Sequence, residues 1–324
     1  MTAAPRVSVV VPTYQRADLL ARCLRALLAQ RGLGAEYEIV VCDDAASLRT
    51  RAQVEGMLTQ TGPDLRYVPV HGTRGPAGAR NAGWQTARAA VIAFTDDDTM
   101  PDPDWLVAGL RAMVDGVHAV TGSTVMPLPP APTDYERDAA GLTHAEFITA
   151  NCFVRRAALL AVGGFDTRYT MAWREDSDLH FSLIEQGLRI VRAPQARVVH
   201  PYRPVRFAAG LGMQKKVMFD VLLYKKHPDL YRARVRREPP WHYLSVTACL
   251  AAATLAALMQ QWLAAAVTGL LWLALTLQFF FQRLRGTRVT PLLLADLALT
   301  SALIPLLSIW WRLMGVIRFR KGFP

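Results

Sequence analysis

Three adjacent aspartates, Asp96, Asp97 and Asp98, directly follow the apolar run "VIAFT". Their mutual repulsion costs stability unless water or a cation lies among the carboxylates. Divalent cations such as Mg²⁺ and Mn²⁺ take oxygen ligands and cancel this repulsion. The three residues therefore form either part of a metal site or an acidic turn that keeps a strand end in water.

A second acidic group lies in "WREDSDLHFSLIEQG", where apolar residues at helical spacing follow the acids. Glu175, Asp176 and Asp178 stand at the start of this predicted helix. A carboxylate within hydrogen-bond reach of a hydroxyl can act as its general base. The same residues could also be ordinary acids at a helix N-terminus, where the helix dipole favours negative charge.

Polar residues also follow two earlier apolar runs. "RVSVVVPTYQR" ends with Thr13 to Arg16, and "YEIVVCDD" ends with Asp43 and Asp44. Both runs have the composition of buried strands, and helical patterns alternate with them. This alternation predicts an α/β fold with a mostly parallel sheet, in which ligands bind beyond the carboxyl ends of the strands. The polar loops and the three aspartates are therefore expected to gather at one edge.

A dinucleotide-binding domain is one competing interpretation, with Asp43 holding a ribose. It requires a GxGxxG turn between the first strand and its helix. Here the turn reads "PTYQRADLL" and contains no glycine, while "GLG" at 32–34 follows the helix. The sequence therefore excludes this class.

Six blocks in series give a more specific indication: "VSVVVPTYQR", "EIVVCDDAAS", "RGPAGARNAGW", "FTDDDTMPDPDWL", "GGFD" and "REDSDLHFSLIEQG". Their order and spacing resemble the family 2 glycosyltransferases of the bacterial membrane-anchored type, over about residues 6–201. The resemblance implies the A-type glycosyltransferase (GT-A) fold, which is a Rossmann-like, mostly parallel sheet that binds nucleotide-diphospho-sugars.

The resemblance also implies where the nucleotide-sugar donor binds. Asp44 matches the acid that receives the base, and a carboxylate can accept a base N–H. Arg80 could meet phosphate, although a solvated arginine in a surface turn is the simpler interpretation. The implied donor-binding residues are Pro12, Thr13, Tyr14, Arg16, Asp43, Asp44, Gly75, Arg80, Asn81, Asp96 and Asp97.

For the chemistry, the resemblance implies that Asp98 ligates Mg²⁺ or Mn²⁺ at the diphosphate, with Asp96 nearby. Similar folds often add a histidine after a late strand, which here is His200, although a lone histidine is more often structural. Asp176 matches the catalytic base of a direct displacement with inversion. Glu175 and Asp178 are the neighbouring alternatives.

Membrane segments follow this domain. No charged residue lies between Glu238 and Arg283, a run about twice as long as the roughly 20 residues that one membrane span needs. We therefore predict a helical hairpin over residues 243–281, with Gln260 and Gln261 at its tip. A third apolar segment, 291–311, could be a span, a re-entrant piece or an interfacial helix.

Basic clusters flank the hairpin on both sides, at 232–237 and 283–288, which predicts that both lie in the cytoplasm. The predicted organisation is a cytoplasmic catalytic domain, 1–238, whose basic juxtamembrane part is 203–238, and a membrane domain, 239–324. An even number of crossings would also place the basic tail in the cytoplasm. The N-terminus shows no apolar segment long enough for a signal peptide.

The formal net charge of +11 does not indicate nucleic acid, because the surplus clusters beside the membrane segments, where membrane lipid explains it. Scattered cysteines without a CxxC pair fit a reducing compartment. The predicted function is transfer of a sugar to a glycan or lipid-linked acceptor in cell-envelope polysaccharide synthesis. Lysines in the basic part, Lys215, Lys216, Lys225 and Lys226, are expected near headgroup phosphates.

Two other functions stay open. A processive polysaccharide synthase is less favoured, because Gln214 does not begin the QxxRW motif of that class. A nucleotide-binding membrane scaffold or regulator that keeps the fold without turnover is the non-enzymatic alternative. The Pro-rich segment within 122–151 is expected to form a mobile loop over the site and to help set specificity.

Overall fold

The computed structural model describes residues 4–58 and 62–324. They form two compact units. The first contains the described residues up to Pro127 together with 140–202, and the second contains 128–139 together with 203–324. The basic segment 203–238 therefore belongs to the same unit as the apolar helices, which differs from the predicted boundary after residue 238.

The first unit is built on an eight-stranded mixed sheet with the order β3-β2-β1-β4-β7-β6-β8-β5. Strands β1 to β4 pair in parallel, β7 runs antiparallel between β4 and β6, and β8 is parallel to β6. The strands are β1 (Val7–Thr13), β2 (Tyr37–Asp43), β3 (Asp64–Pro69), β4 (Val91–Phe94), β5 (Met100–Pro101), β6 (Ala119–Val125), β7 (Cys152–Arg155) and β8 (Ile190–Val199).

Thirteen α-helices lie in the described part of the chain, with short 3₁₀ turns at Ala140–His144 and Gln214–Val217. They are α1 (Ala17–Leu28), α2 (Leu48–Glu55), α3 (Pro76–Thr86), α4 (Trp105–Ala112), α5 (Asp134–Ala139), α6 (Arg156–Val162), α7 (Glu175–Glu185), α8 (Ala209–Met213), α9 (Met218–Lys226), α10 (Pro228–Arg234), α11 (Trp241–Leu258), α12 (Trp262–Leu284) and α13 (Pro291–Phe319).

The core of the first unit follows the apolar periodicity of the sequence. Every residue of β1 and β2 is buried, as expected for central parallel strands covered on both faces. Helix α1 buries Leu20, Leu24 and Leu27 against the sheet, while Leu28 is only partly buried. The predicted α/β architecture with a mostly parallel sheet is confirmed.

The second unit contains the predicted hairpin. Helices α11 and α12 are joined at Gln260 and Gln261, and Gln260 has a φ of 58° in the tight turn. Three helices of the described chain, α11, α12 and α13, are long and apolar enough to cross a membrane. The third apolar segment is one continuous helix, so it does not have the reversal of a re-entrant piece.

Part of the expected mobile loop is instead helical and held within the second unit. Helix α5 carries Asp134, whose carboxylate accepts hydrogen bonds from Arg283 at 2.8 and 2.9 Å. The guanidinium of Arg137 donates to the carbonyl oxygens of Arg283 and Arg285. The segment 128–139 is thus fastened to the end of α12, which sequence order did not indicate.

Candidate functional site

The polar residues at the carboxyl ends of β1, β2 and β4 gather at one edge of the sheet, as predicted. Thr13 ends β1 and Asp43 ends β2, and these two residues are paired in the parallel register. The three aspartates begin one residue after Thr95, whose backbone N–H donates to the carbonyl oxygen of Val10 in β1. Loops that are distant in sequence therefore meet at this edge.

Asp96, Asp98 and His200 form a candidate metal centre. Their ligand atoms lie within 4.8 Å of one another. The Nε2 atom of His200 is 3.6 Å from Oδ1 of Asp98. His200 directly follows β8, and its backbone N–H donates to the carbonyl oxygen of Val125 at 2.8 Å, which fixes its position beside β6. Two carboxylates and one imidazole are a donor set that suits Mn²⁺ well and Mg²⁺ acceptably.

Arg80 joins this centre to the acids of α7. Its buried guanidinium donates to Asp96 at 2.8 Å and to Glu175 at 3.1 Å. It also lies 5.7 Å from the ring centroid of Phe165, in the "GGFD" block. Burial raises the pKa of Asp96, but the positive charges of Arg80 and His200 outweigh it and hold that pKa below its usual value. Asp96 therefore stays ionised.

Glu175 is the other partner of Arg80. It is almost completely buried, and burial raises its pKa to about 7, against the opposing effect of the Arg80 charge. A carboxyl group with this pKa exchanges its proton near neutrality. Glu175 is 95 residues away from Arg80 in sequence, so no local pattern indicated the pair.

Asp176 is the second residue of α7 and directly follows Glu175 of this ion pair. Arg174, the residue before the helix, has a φ of 74°, so the chain turns sharply at this point. Burial raises the pKa of Asp176, and the Ser177 N–H partly offsets this by donating to its Oδ1 at 2.7 Å. A raised pKa makes a carboxylate a stronger base. Asp178 is buried and accepts a hydrogen bond from Tyr169 at 3.2 Å.

Asp97 contacts the loop after β1 and not the candidate metal centre. It accepts hydrogen bonds from the Thr13 hydroxyl at 2.7 Å and from Arg16 at 3.1 Å. Burial raises its pKa to about 6, and the charges of Asp98 and Asp96 add to this. These contacts tie the loop after β1 to the loop after β4. Donor binding by Asp97 itself stays a prediction.

Asp43 and Asp44 are also adjacent acids with different hydrogen-bond partners. Asp43 accepts hydrogen bonds from the Ala45 and Ser47 N–H groups and from the Tyr67 hydroxyl, so it shapes the loop before α2. Asp44 accepts a hydrogen bond from the Gly75 N–H at 2.8 Å through Oδ2. Its Oδ1 is buried and lacks a hydrogen-bond partner among the described residues. The contact of Asp44 with a base stays a prediction.

Gly75 precedes α3 with φ 90° and ψ 173°, a conformation essentially limited to glycine. An added Cβ would lie 2.6 Å from the carbonyl oxygen of Thr170. Asn81, six residues later, uses its side chain to hold Phe165 and Trp84: its Oδ1 accepts from both, and its Nδ2 donates to the Phe165 carbonyl at 2.7 Å. Its predicted contact with the donor remains untested.

The loop after β1 presents two side chains to solvent. Tyr14 is 54% exposed, and the side chain of Arg16 is 41% exposed despite its ion pair with Asp97. Pro12 is buried within β1. Tyr14 and Arg16 are thus accessible to a donor, whereas Pro12 positions the loop.

The chain is similar to known glycosyltransferases. The family profile "Glycosyl transferase family 2" matches residues 8–165, and "Glycosyl transferase family group 2" matches residues 91–314. The second match extends over most of the chain and includes the apolar helices. Arg80 and the three aspartates 96–98 lie within the first match, and Asp176 and His200 lie within the second.

Two curated relatives match different shares of this chain and of their own length. Glycosyltransferase AglE of Haloferax volcanii is 26% identical over 234 residues, which are 67% of this chain and 75% of AglE. The pre-mycofactocin glycosyltransferase of Mycobacterium tuberculosis is 30% identical over 213 residues, 61% of this chain. The chain spans only 43% of that relative's length.

A solved structure supports the fold. The mannosyltransferase PcManGT from Pyrobaculum calidifontis, in complex with GDP-Man and Mn²⁺, aligns with a TM-score of 0.55 over 97% of this chain and 85% of its own. The two sequences are 22% identical. At this identity the likeness concerns the fold, which is that of a GT-A-type enzyme with further helices after it.

Proposed function

The chain belongs to glycosyl transferase family 2, and from that premise we propose that it is a metal-dependent, inverting enzyme that transfers a sugar to a membrane-associated glycan or lipid-linked acceptor. The observation that carries this proposal is the continuous set of contacts from His200 and Asp98 through Asp96 and Arg80 to Glu175, beside Asp176. The acids proposed to bind the donor and the candidate base are thus held together by these contacts.

The nucleotide is proposed to bind at the ends of β1 and β2. Asp44 offers its buried Oδ1 to a base N–H, and the N–H of Gly75 holds the other carboxylate oxygen in place. Arg16 is partly exposed at the same edge and can approach a phosphate. Arg80 is buried between two carboxylates, so we assign it to positioning them and not to phosphate binding.

Asp98, Asp96 and His200 would hold Mn²⁺ or Mg²⁺. Such a cation would neutralise the charge that develops on the departing nucleoside diphosphate. Asp176 takes the proton of the acceptor hydroxyl while the acceptor oxygen attacks the anomeric carbon. The bond from that carbon to the diphosphate oxygen breaks on the opposite face, which inverts the configuration.

Burial makes Asp176 a stronger base by raising its pKa, and the positive charge of Arg80 limits this rise so that more of the carboxyl group is ionised and able to accept a proton. Without this guanidinium, the partly exposed Asp96 and the buried Glu175 would lack the cation between them, and their pKa values would rise. The positive charge of Arg80 also opposes the rise in the pKa of Asp176 directly, so that pKa would rise as well. The arrangement therefore depends on Arg80 as much as on the acids.

Donor binding tests the first half of the proposal. The detergent-purified full chain would be titrated with UDP-, GDP-, dTDP- and CMP-sugars, each with Mn²⁺, Mg²⁺ or chelator. GDP-mannose with Mn²⁺ heads the panel because PcManGT was solved with both. We expect a metal-dependent increase in thermal stability with one nucleotide. Asp98→Asn should abolish it, and Asp115→Asn, an exposed acid in another loop, should not.

Turnover tests the second half and separates an enzyme from a scaffold. Asp176→Asn should reduce product formation by at least about a hundredfold, the usual contribution of general base catalysis, while donor affinity stays within a factor of two or so. Equal activity of Asp176→Asn and the parent would refute the assignment of the base. Donor binding without any turnover in the parent would favour the scaffold function.

The acceptor is proposed from the membrane setting. The catalytic unit is proposed to lie in the cytoplasm, because the basic clusters at 232–237 and 283–288 flank the hairpin. An acceptor carried by lipid at the cytoplasmic surface would then be within reach. Transfer to extracted membrane lipid, but not to free oligosaccharide, would support a lipid-linked acceptor, and the opposite preference would contradict it.

A further inference from the structure

The preceding basic segment packs against helix α13 along its length. At one end the Ala208 N–H donates to the carboxylate of Asp296. Near the other end, Lys225 Nζ donates to the carbonyl oxygen of Phe319 at 2.8 Å. Between them, Met218 is so close to α13 that a Cβ on Gly315 would lie 2.7 Å from its carbonyl oxygen. Residues 208–226 therefore cover one side of α13.

A buried ion pair locks the two together. Arg312 of α13 donates to Asp220 of α9 at 3.2 Å, and both side chains are almost fully buried. Arg312 also donates to the hydroxyl of Ser308, one turn earlier. Removing either charge would leave the other buried without its partner, which is costly. The polar side of α13 is therefore matched to α9 and is not a lipid-facing surface.

The covering segment does not suit the interior of a bilayer. It carries Lys215, Lys216, Lys225 and Lys226, and part of it is a 3₁₀ turn. Moving a lysine ammonium group to the centre of a bilayer is energetically unfavourable. If α13 crossed the membrane, this segment would have to enter the hydrocarbon beside it. The packing therefore argues against a crossing.

The hairpin contacts α13 near its own base. Arg283, at the end of α12, donates to the hydroxyls of Thr300 and Ser301 at 2.8 and 3.0 Å. Val246 and Thr276 are the buried residues of α11 and α12, and both lie in the half of the hairpin away from its tip. A third span alongside the hairpin would cover it toward the tip as well.

The opposite side of α13 is apolar and exposed. Its 29 residues extend about 43 Å, well beyond the roughly 30 Å of a hydrocarbon core. An apolar face opposite a polar, protein-covered face is typical of a helix that lies in the membrane interface. The large exposed apolar residues are Leu292, Leu299, Trp310, Leu313 and Ile317.

We propose that α13 lies in the membrane interface as a surface helix, with its exposed leucine, tryptophan and isoleucine side chains in lipid. The chain then crosses the membrane twice, through α11 and α12. The basic clusters at 232–237 and 283–288 and the residues Arg318, Arg320 and Lys321 all fall on one side, in agreement with the distribution expected of cytoplasmic loops.

Side-specific labelling tests the number of crossings in the full-length protein. Gln261→Cys lies at the exposed hairpin tip, and Gly322→Cys follows α13 at a position with open space around its Cβ. Both are placed in a Cys249→Ala background, since the other cysteines, Cys23, Cys42 and Cys152, are buried. An impermeant maleimide applied to intact cells should label position 261 and not 322, with the reverse in inverted vesicles. Labelling of both from the same side would overturn the proposal.

Spin-label depth measurements in liposomes test the interfacial position. Labels at Leu292, Leu299, Leu313 and Ile317 should lie within about 5 Å of one another in depth, the rise of one turn, near the headgroups. For a spanning helix the first and last would differ by about 37 Å along the axis. The internal control is the spanning helix α12, where the label at 263, beside the hairpin tip, should lie closer to the headgroups than the labels at 270 and 277, which should lie near the bilayer centre. A graded depth through the bilayer centre along α13, or no lipid contact, would refute the proposal.

Discussion

Replacing Gly75 by alanine is the most direct test of how the candidate nucleotide site is built. The residue has φ 90° and ψ 173°, where a side chain costs about 1–3 kcal/mol in backbone strain. The new Cβ would also lie 2.6 Å from the Thr170 carbonyl oxygen and 2.7 Å from its carbon. Because these are backbone atoms, relief requires movement of the chain, at a further cost of about 1–3 kcal/mol.

Gly72→Ala is the matched control. Gly72 also has a positive φ, 79°, but its Cβ would meet nothing within 4 Å. Gly72→Ala should therefore show the cost of the strained backbone conformation without the cost of a steric clash. We expect about 1–3 kcal/mol for Gly72→Ala and about 2–6 kcal/mol for Gly75→Ala. At roughly 2–4 °C of melting temperature per kcal/mol, the two variants should differ by several degrees.

The second readout is donor affinity. The Gly75 N–H holds Asp44 at 2.8 Å, so movement of Gly75 displaces the acid proposed to receive the base. Gly75→Ala should weaken donor binding by about tenfold or more, the worth of one hydrogen bond to a charged group, and Gly72→Ala should not. Thermal unfolding and isothermal titration in detergent would measure both effects. Equal melting temperatures and equal affinities for the two variants would refute the reasoning.

Three further predictions address the acids and the membrane unit. Asp98→Asn should weaken Mn²⁺ binding by calorimetry at least tenfold, whereas unchanged binding would exclude the proposed centre. The pKa of Asp97 is raised to about 6 in the folded protein from 3.8 in the unfolded chain, so ionisation of Asp97 opposes folding. The free energy of unfolding should therefore fall by about 3 kcal/mol as the pH rises from about 4 to 6. With chelator present, Asp97→Asn should remove this fall, and an unaltered pH profile of unfolding would contradict the prediction. Arg137→Gln removes the hydrogen bonds from the guanidinium group to the end of α12, so limited proteolysis within 128–139 should become faster. Arg111→Gln, at an exposed position, is the control variant. Equal cleavage rates in the two variants would show that α5 is held by other contacts.

The family and the fold could be predicted because both depend on short-range pattern. Apolar runs that end in polar residues marked the strand ends, and parallel pairing brings such ends to one edge. The uncharged run marked the hairpin because length and composition are sufficient to identify a membrane helix. The structure confirms that the loops meet at one edge and that α11 and α12, both long and apolar enough to cross a membrane, form a hairpin in the predicted place.

The roles of individual site residues were less accessible. Asp97 and Asp98 are neighbours of the same type, yet Asp97 contacts Thr13 and Arg16, while Asp98 lies beside His200. Asp43 and Asp44 divide in the same way. Residue type and spacing cannot separate them, because the direction of a side chain in a loop depends on which hydrogen-bond donors surround it.

The sequence by itself determined the order of the strands and helices, the edge at which the polar loops gather, and the membrane hairpin, since these follow from periodicity and charge along the chain. Only the tertiary structure decided that Arg80 lies between Asp96 and Glu175, that α5 is fastened to α12, and that α13 is covered by the basic segment before it. Periodicity shows which face of a helix is buried, but the identity of its partner depends on a packing arrangement that joins residues up to 149 positions apart.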